Sequence, residues 1–191
     1  MTDSEFTGAA DRIAGGPPAR RDESLRLAIV EAAPAVRRYL FGLCGHWHEA
    51  EDLAQESLLK AWARRETFDG RAAARTWIFA IARNCWLSGL RSRRVRPQEQ
   101  PMLEESAHVA SSPSPASAAG RAELAAAVEA AMANLPHDQR EALALRESSV
   151  LTFEQIGRLL EVPTSTVKSR VRYALKNLAE QLRPFAKELE A

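Results

Sequence analysis

The residues best placed to do chemistry are cations. In "RTWIFAIARNCWLSGLRSRRVR" (Arg75 to Arg96) an apolar, tryptophan-bearing stretch runs into four arginines between Arg91 and Arg96. At about 100° per residue, a helix here carries Ile78, Ile81, Ala82 and Cys85 on one stripe. Thr76, Ala80, Arg83, Leu87, Arg91 and Arg94 fall on the other side, with Asn84 at its edge and Trp77 and Trp86 at the margins of the apolar stripe. Arginines interleaved with indoles fit single-stranded nucleic acid: guanidinium groups meet phosphates and bases stack on rings. The alternative is that both tryptophans are plain core residues.

A second cationic group closes the chain. "LTFEQIGRLLEVPTSTVKSRVRYALKNL" (Leu151 to Leu178) has the layout of a helix-turn-helix. Thr152 is a good N-cap, with Glu154 and Gln155 in the first turn and Ile156, Leu159 and Leu160 apolar. "EVP" makes the short turn, and Thr164 or Ser165 caps the next helix. Val167, Val171, Ala174, Leu175 and Leu178 face inward. Lys168, Ser169, Arg172 and Tyr173 then point outward, where a recognition helix meets base edges in the major groove. Arg170 and Lys176 are placed for phosphates.

Other reactive side chains are sparse. "CGHWH" (Cys44 to His48) offers a thiol and two imidazoles of the zinc-ligand kind. A closed zinc site needs four ligands and usually wider spacing, so the reading is a helix-connecting loop and no metal site. No catalytic constellation and no cofactor site is expected, so the chain reads as a non-enzyme.

The elements that must carry these side chains are helical. Nothing in the 191 residues alternates with period two for long enough to make a strand. Helices are expected from about Ser24, as the cap, through Leu43 with Leu25, Leu27, Ile29, Val30 and Val36 apolar; from about Glu49 to Arg65; and from about Arg71 to Arg94. The second carries Leu53, Ala54, Leu58, Ala61 and Trp62 on one stripe and exposes Asp52, Gln55, Glu56 and Leu59 on the other. Such an acidic face with one leucine suits a basic, helical partner surface.

"RPQEQPMLEESAHVASSPSPASAAG" (Arg96 to Gly120) reads as a linker. The expected organisation is a disordered tail over 1–23, a helical domain over 24–96, a linker over 97–120, a helix-turn-helix domain over 121–185 and a short tail over 186–191. The fold class is therefore all-α: two small helical domains joined by a flexible linker. Net charge is only +1, yet residues 60–96 hold ten basic and two acidic residues and 163–187 hold six and one. Two basic surfaces among acidic segments point to two contacts with a polyanion. No apolar run approaches the ~20 residues of a membrane span, no secretory signal opens the chain, and two cysteines make no disulfide framework. A cytoplasmic setting follows.

Four stretches in order carry a resemblance: "AEDLAQESLLKAW" (Ala50 to Trp62), "TFDGRAAARTWIFAIARN" (Thr67 to Asn84), "LPHDQREALALRE" (Leu135 to Glu147) and "TFEQIGRLLEVPTSTVKSRV" (Thr152 to Val171). The chain resembles the extracytoplasmic-function (ECF) sigma factors, the small two-domain specificity subunits of bacterial RNA polymerase. The resemblance covers about residues 25–96 and 121–183. It implies that Asp52, Gln55, Glu56 and Leu59 dock on the polymerase β′ clamp helices, and that core polymerase, through β′ and β, is a partner. It implies that the segment from Phe68 to Asn84 recognises and opens the −10 promoter element. Phe68, Asp69, Gly70 and Arg71 then lie in a loop pocket for a flipped base, with Asn84 beside it and Trp77, Arg83, Arg91 and Arg94 along the strand. The helix-turn-helix, from Thr164 and Ser165 to Tyr173, binds the −35 element as duplex. An anti-sigma factor is an implied further partner. Ser88, Ser165 and Tyr173 depart from the family's frequent aspartate, glycine and arginine, which bears on promoter sequence rather than on class.

Two other classes fit parts of the pattern. A helix-turn-helix activator would need a ligand pocket in 25–96, and a protein-only adaptor would not need the cationic face at Arg83, Arg91 and Arg94. The linker sets a geometric expectation. It can stretch to about 80 Å but as a coil averages about 27 Å, so the free chain should be compact, with its halves packed together and both DNA surfaces covered.

Overall fold

The computed structural model describes the backbone of residues 18–70, 73–95, 115–148 and 150–189, and side chains within 21–70, 73–93, 120, 123–148 and 150–185. Seven α-helices and one short 3-10 turn make up these residues: α1 (Pro18–Cys44), α2 (Trp47–Ala63), the turn Arg65–Thr67, α3 (Ala74–Val95), α4 (Pro115–Ala133), α5 (His137–Glu147), α6 (Phe153–Leu160) and α7 (Thr164–Leu189). No strand occurs among them, as the missing period-two pattern requires.

Helix boundaries follow local chemistry, with three departures from expectation. α1 begins at Pro18, so Ser24 lies inside the helix rather than capping it. α4, Pro115–Ala133, includes residues of the stretch read as linker. α7 begins at Thr164, so the cap position falls to Pro163, whose carbonyl accepts from the N–H of Thr166 at 2.9 Å and of Val167 at 3.2 Å. Neither Thr164 nor Ser165 caps it. The linker residues 97–114 and the tail 1–17 lie outside the described residues.

α1, α2 and α3 pack together around Leu25, Val36, Tyr39, Leu40, Ile78 and Phe79, each 1% exposed or less. α2 contributes mainly small residues, Ala50, Ala54 and Ala61, which let its backbone approach closely. Fully burying a large aliphatic or aromatic side chain contributes about 1.5–3 kcal/mol. α5, α6 and α7 form the second group around Leu145, Ile156, Val167 and Ala174, with α4 along α7.

The two groups are not separate in space. α5 lies against α1 and α6 against α3, and the buried residues of both join in one continuous core. Some apolar side chains expected inside are outside: Leu27, Val30 and Leu175 are 49%, 61% and 51% exposed. Val30 borders a depression shared with α2, and Leu175 one shared with α4.

Candidate nucleic-acid interface

The helix-turn-helix is built as its residue types dictate. The Thr152 hydroxyl accepts from the Gln155 N–H at 3.3 Å, and the Gln155 side chain accepts from the Thr152 N–H at 2.8 Å. This reciprocal capping box fixes the start of α6. Glu161 ends it in a left-handed conformation, φ 56°. The chain then folds back so tightly that a Cβ at Gly157 would stand 2.9 Å from the Val162 carbonyl oxygen, so only glycine fits there.

The turn aims α7 outward. Ser165, Lys168, Arg172 and Tyr173 are exposed, and Thr164, Ser169 and Arg170 are half-buried. Lys168 Nζ lies 5.7 Å from the centre of the Phe153 ring, and the Arg172 guanidinium 5.1 Å from that of Tyr173. Ser169 Oγ donates to the Thr166 carbonyl at 2.9 Å. Arg170 is held by Asp138 of α5 at 3.0 Å, which ties it to the scaffold. The expected contact residues of α7 that are exposed are therefore Ser165, Lys168, Arg172 and Tyr173.

The surface around α3 is different. Gly70 takes a positive φ of 74° in the loop before the helix. Asp69 is exposed there, but Phe68 is only 2% exposed, its ring tilted against that of the half-buried Trp77 with 5.2 Å between ring centres. Phe68, expected in the loop with Asp69, Gly70 and Arg71, does lie in that loop. Its ring turns inward, because the short connection presses it onto the bundle. Arg71 and the side chain of Arg94 lie outside the described residues. Asn84 and Arg91 are exposed, and Arg91 donates to Ser88 Oγ at 3.3 Å. Trp86 is core, 6% exposed, with the Arg93 guanidinium over its ring.

Arg83, in the middle of the cationic face, is engaged by the other half of the chain. Its Nε donates to Glu141 Oε1 at 2.8 Å and its Nη2 to Oε2 at 3.4 Å, a fork across the carboxylate. Glu141 is 3% exposed, and the Tyr39 hydroxyl donates to it at 3.3 Å. Burial opposes the charge on Arg83. The hydrogen bond and charge of Glu141, with Tyr39 and Glu161, outweigh that and raise its pKa above the ordinary arginine value. Removing one partner of a buried pair costs about 3–5 kcal/mol, and the partial exposure of Arg83 places this one at the low end. Glu141 was missed in the sequence. Its signal was an acid adjoining the apolar run Ala142–Leu145, where a charge needs a partner.

The face of α2 is open. Asp52, Gln55 and Glu56 are exposed and Leu59 is 64% exposed. Glu56 pairs with Lys60 along the helix. Beside them Ile29, Val30, Leu58, Leu59 and Trp62 line an apolar depression of about 350 Å³ between α1 and α2. At the loop between the same helices, Cys44 Sγ donates to the His46 carbonyl at 3.2 Å. Among the described residues no group of three or more His, Cys, Asp or Glu side chains could hold a metal ion, and no helix is long and apolar enough to cross a membrane.

Known proteins match both halves. Residues 29–96 match the model of sigma-70 region 2, and residues 131–180 that of sigma-70 region 4. The ECF RNA polymerase sigma factor EcfG of Rhodopseudomonas palustris is 34% identical over 160 residues, covering 84% of this chain and 86% of that protein. SigW of Bacillus subtilis, another ECF sigma factor, is 29% identical over 169 residues, covering 82% and 89%. Among solved structures, the sigma factor RpoE of Bartonella quintana, in complex with the anti-sigma factor NepR, has a TM-score of 0.62 and 26% identity, covering 84% of this chain and 98% of that one.

Proposed function

Because the chain belongs to the ECF sigma factors, the non-enzymatic initiation factors that direct RNA polymerase to promoters, we propose that it divides promoter recognition between its two cationic surfaces. α7 takes the −35 element as duplex, and the loop and outer face of α3 take the −10 element as a melted single strand.

The observation that supports this division best is the contrast between the two surfaces. α7 packs one side against α5 and α6 and exposes Lys168, Arg172 and Tyr173 on the other, next to the capped α6, an arrangement suited to a major groove. α3 exposes Asn84 and Arg91 along its length, and the loop before it packs Phe68 against Trp77. Flipping a base out of the duplex costs a few kcal/mol, which binding of the unpaired strand offsets, so nucleotide hydrolysis is not required. The organisation carried by this reading is a promoter-melting domain over 24–96 and a duplex-binding domain over 121–185.

Core polymerase then docks on the open face of α2, through Asp52, Gln55, Glu56 and Leu59. The adjacent depression takes an apolar side chain of the partner. An anti-sigma factor, the kind of protein bound to the Bartonella sigma factor in its complex, is a regulator expected here too. Run-off transcription with core polymerase on a promoter library tests the reading. Transcripts from a defined promoter subset, dependent on this chain, are expected. Their absence with several compatible core enzymes would overturn it.

A further inference from the structure

We propose that the pocket where α1 meets α4, α5 and α7 is a binding site for a medium-chain fatty acid, its carboxylate on Arg140 and its alkyl chain along the apolar wall. The proposal is independent of promoter recognition, because the pocket shares no residue with either proposed DNA surface.

The cavity holds about 490 Å³, within the roughly 300–1,000 Å³ of small-molecule sites. Its wall is mostly apolar, built from Phe41 and Leu43 of α1, Met132 of α4, Leu143 of α5, and Leu175 and Leu178 of α7. Packing leaves part of that wall uncovered: Leu175 and the neighbouring Val128 of α4 are 51% and 38% exposed.

Arg140 supplies the charge. Its Nη1 donates to the Leu43 carbonyl at 3.4 Å, and its Nη2 to the carbonyls of Leu135 at 3.1 Å and of Ala133. Carbonyls orient a guanidinium without neutralising it. Its Nε is buried with no hydrogen-bond partner among the described residues. Burial holds its pKa below the ordinary arginine value, and among the described residues no acid offsets that. A charge drawn out of water is costly until it is paired. An anion with an apolar body supplies the pair and fills the cavity.

The remaining charges select a single carboxylate. Glu129 of α4 and Glu147 of α5 also line the pocket, with Arg38, which donates to the Ser148 carbonyl at 3.2 Å. A phosphate or a dicarboxylate would bring a second negative charge toward these acids. Glu147 stands two turns from Arg140, about 10.5 Å along α5. That span suits an extended alkyl chain of about eight to ten carbons. α1 belongs to one helical group and α4, α5 and α7 to the other, so an occupant touches both and stabilises the folded chain by mass action. Lys168, Arg172 and Tyr173 stay exposed beside this packing. The expectation that both DNA surfaces are covered is corrected accordingly.

Isothermal titration of the full chain with sodium decanoate, below micelle-forming concentrations, tests this. One saturable site is expected, together with a melting temperature that rises with decanoate. Hexanoate, four methylenes shorter, should bind at least thirtyfold more weakly, given roughly fourfold per buried methylene. Decanol, with the same chain and no charge, should bind at least tenfold more weakly. Val128→Trp, at a partly exposed position, should weaken decanoate at least tenfold and leave the far-ultraviolet circular dichroism unchanged. Arg140→Gln should bring decanoate down to the affinity of decanol. Where that variant fails to fold, decanoate against decanol on the parent chain carries the same test. Equal binding of decanoate and decanol would overturn the Arg140 anchor and the proposal with it. So would the absence of saturable binding, binding untouched by Val128→Trp, or uptake of many molecules per chain with loss of helical signal.

Discussion

Gly42 of α1 faces Ala144 of α5 across the seam between the two halves of the chain so closely that a Cβ at Gly42 would stand 3.0 Å from the Ala144 Cβ, and even a methyl there needs the helices to give. A bulky residue there must push α5 away. Gly42→Leu should therefore part the halves while leaving each helical. Far-ultraviolet circular dichroism should be unchanged, and small-angle scattering should show a larger radius of gyration. A collapse of helical signal would mean that the halves do not stand alone.

Tyr39 reports on the same seam through pH. Burial, followed by the charge of Glu141, holds its phenol well above the usual tyrosine value of 10.0. The folded protein therefore keeps the proton where the unfolded chain has lost it. Stability is fully present below about pH 10 and falls above it, by up to about 1.4 kcal/mol per pH unit, until the folded-state value is reached. Tyr39→Phe should cost about 1 kcal/mol near neutrality and flatten the decline above pH 10. Parallel unfolding curves for the two proteins from pH 9 to 11 would contradict this.

Much of the recognition helix was legible because its signals are local. Thr152 and Gln155 are three residues apart, and the apolar spacing of Ile156, Leu160, Val167 and Val171 repeats with the helical period. The exposed acidic face at Asp52, Gln55 and Glu56 followed from the same periodicity. The seam was not legible, because Arg83 and Glu141 lie 58 residues apart and a helical wheel says nothing about which helix covers which. The burial of Phe68 was not legible for a related reason: loop membership does not tell whether a ring turns to solvent or, as here, onto Trp77.

Core binding should depend on the open face of α2. Replacing Asp52, Gln55 and Glu56 together by alanine removes charge without touching the core, since all three are exposed. Affinity for core polymerase should drop at least tenfold with a melting temperature within a few degrees of the parent. Leu59→Ala alone should weaken it further through the lost apolar contact. Unchanged affinity would place the docking surface elsewhere.

The duplex contact separates into base and phosphate parts. Arg172→Ala should cost about 1–3 kcal/mol on the preferred −35 sequence if its guanidinium reads a base, and the preference at one position should relax. Arg170→Ala should do less, because Asp138 already holds that side chain. Competition binding across −35 variants distinguishes them. A uniform loss on every sequence would assign Arg172 to phosphate.

Cys44 should be a quiet thiol. Burial is the main reason that its pKa is raised from 9.0 to about 11, which lowers the reactive thiolate about a hundredfold at neutral to mildly alkaline pH. Alkylation followed by peptide mass mapping should show slow labelling of Cys44 in the folded protein and fast labelling in denaturant. Rapid labelling of the native chain would mean that the end of α1 opens far more often than its packing implies.

Strand separation by the polymerase carrying this chain is the most direct test of all. On a promoter taken from the library, thymines in the −10 region should react with permanganate only when core polymerase and the chain are both present. That reactivity should be lost with Arg83→Gln while the −35 footprint persists. A polymerase that binds the promoter through this chain yet leaves those thymines unreactive would contradict the central claim.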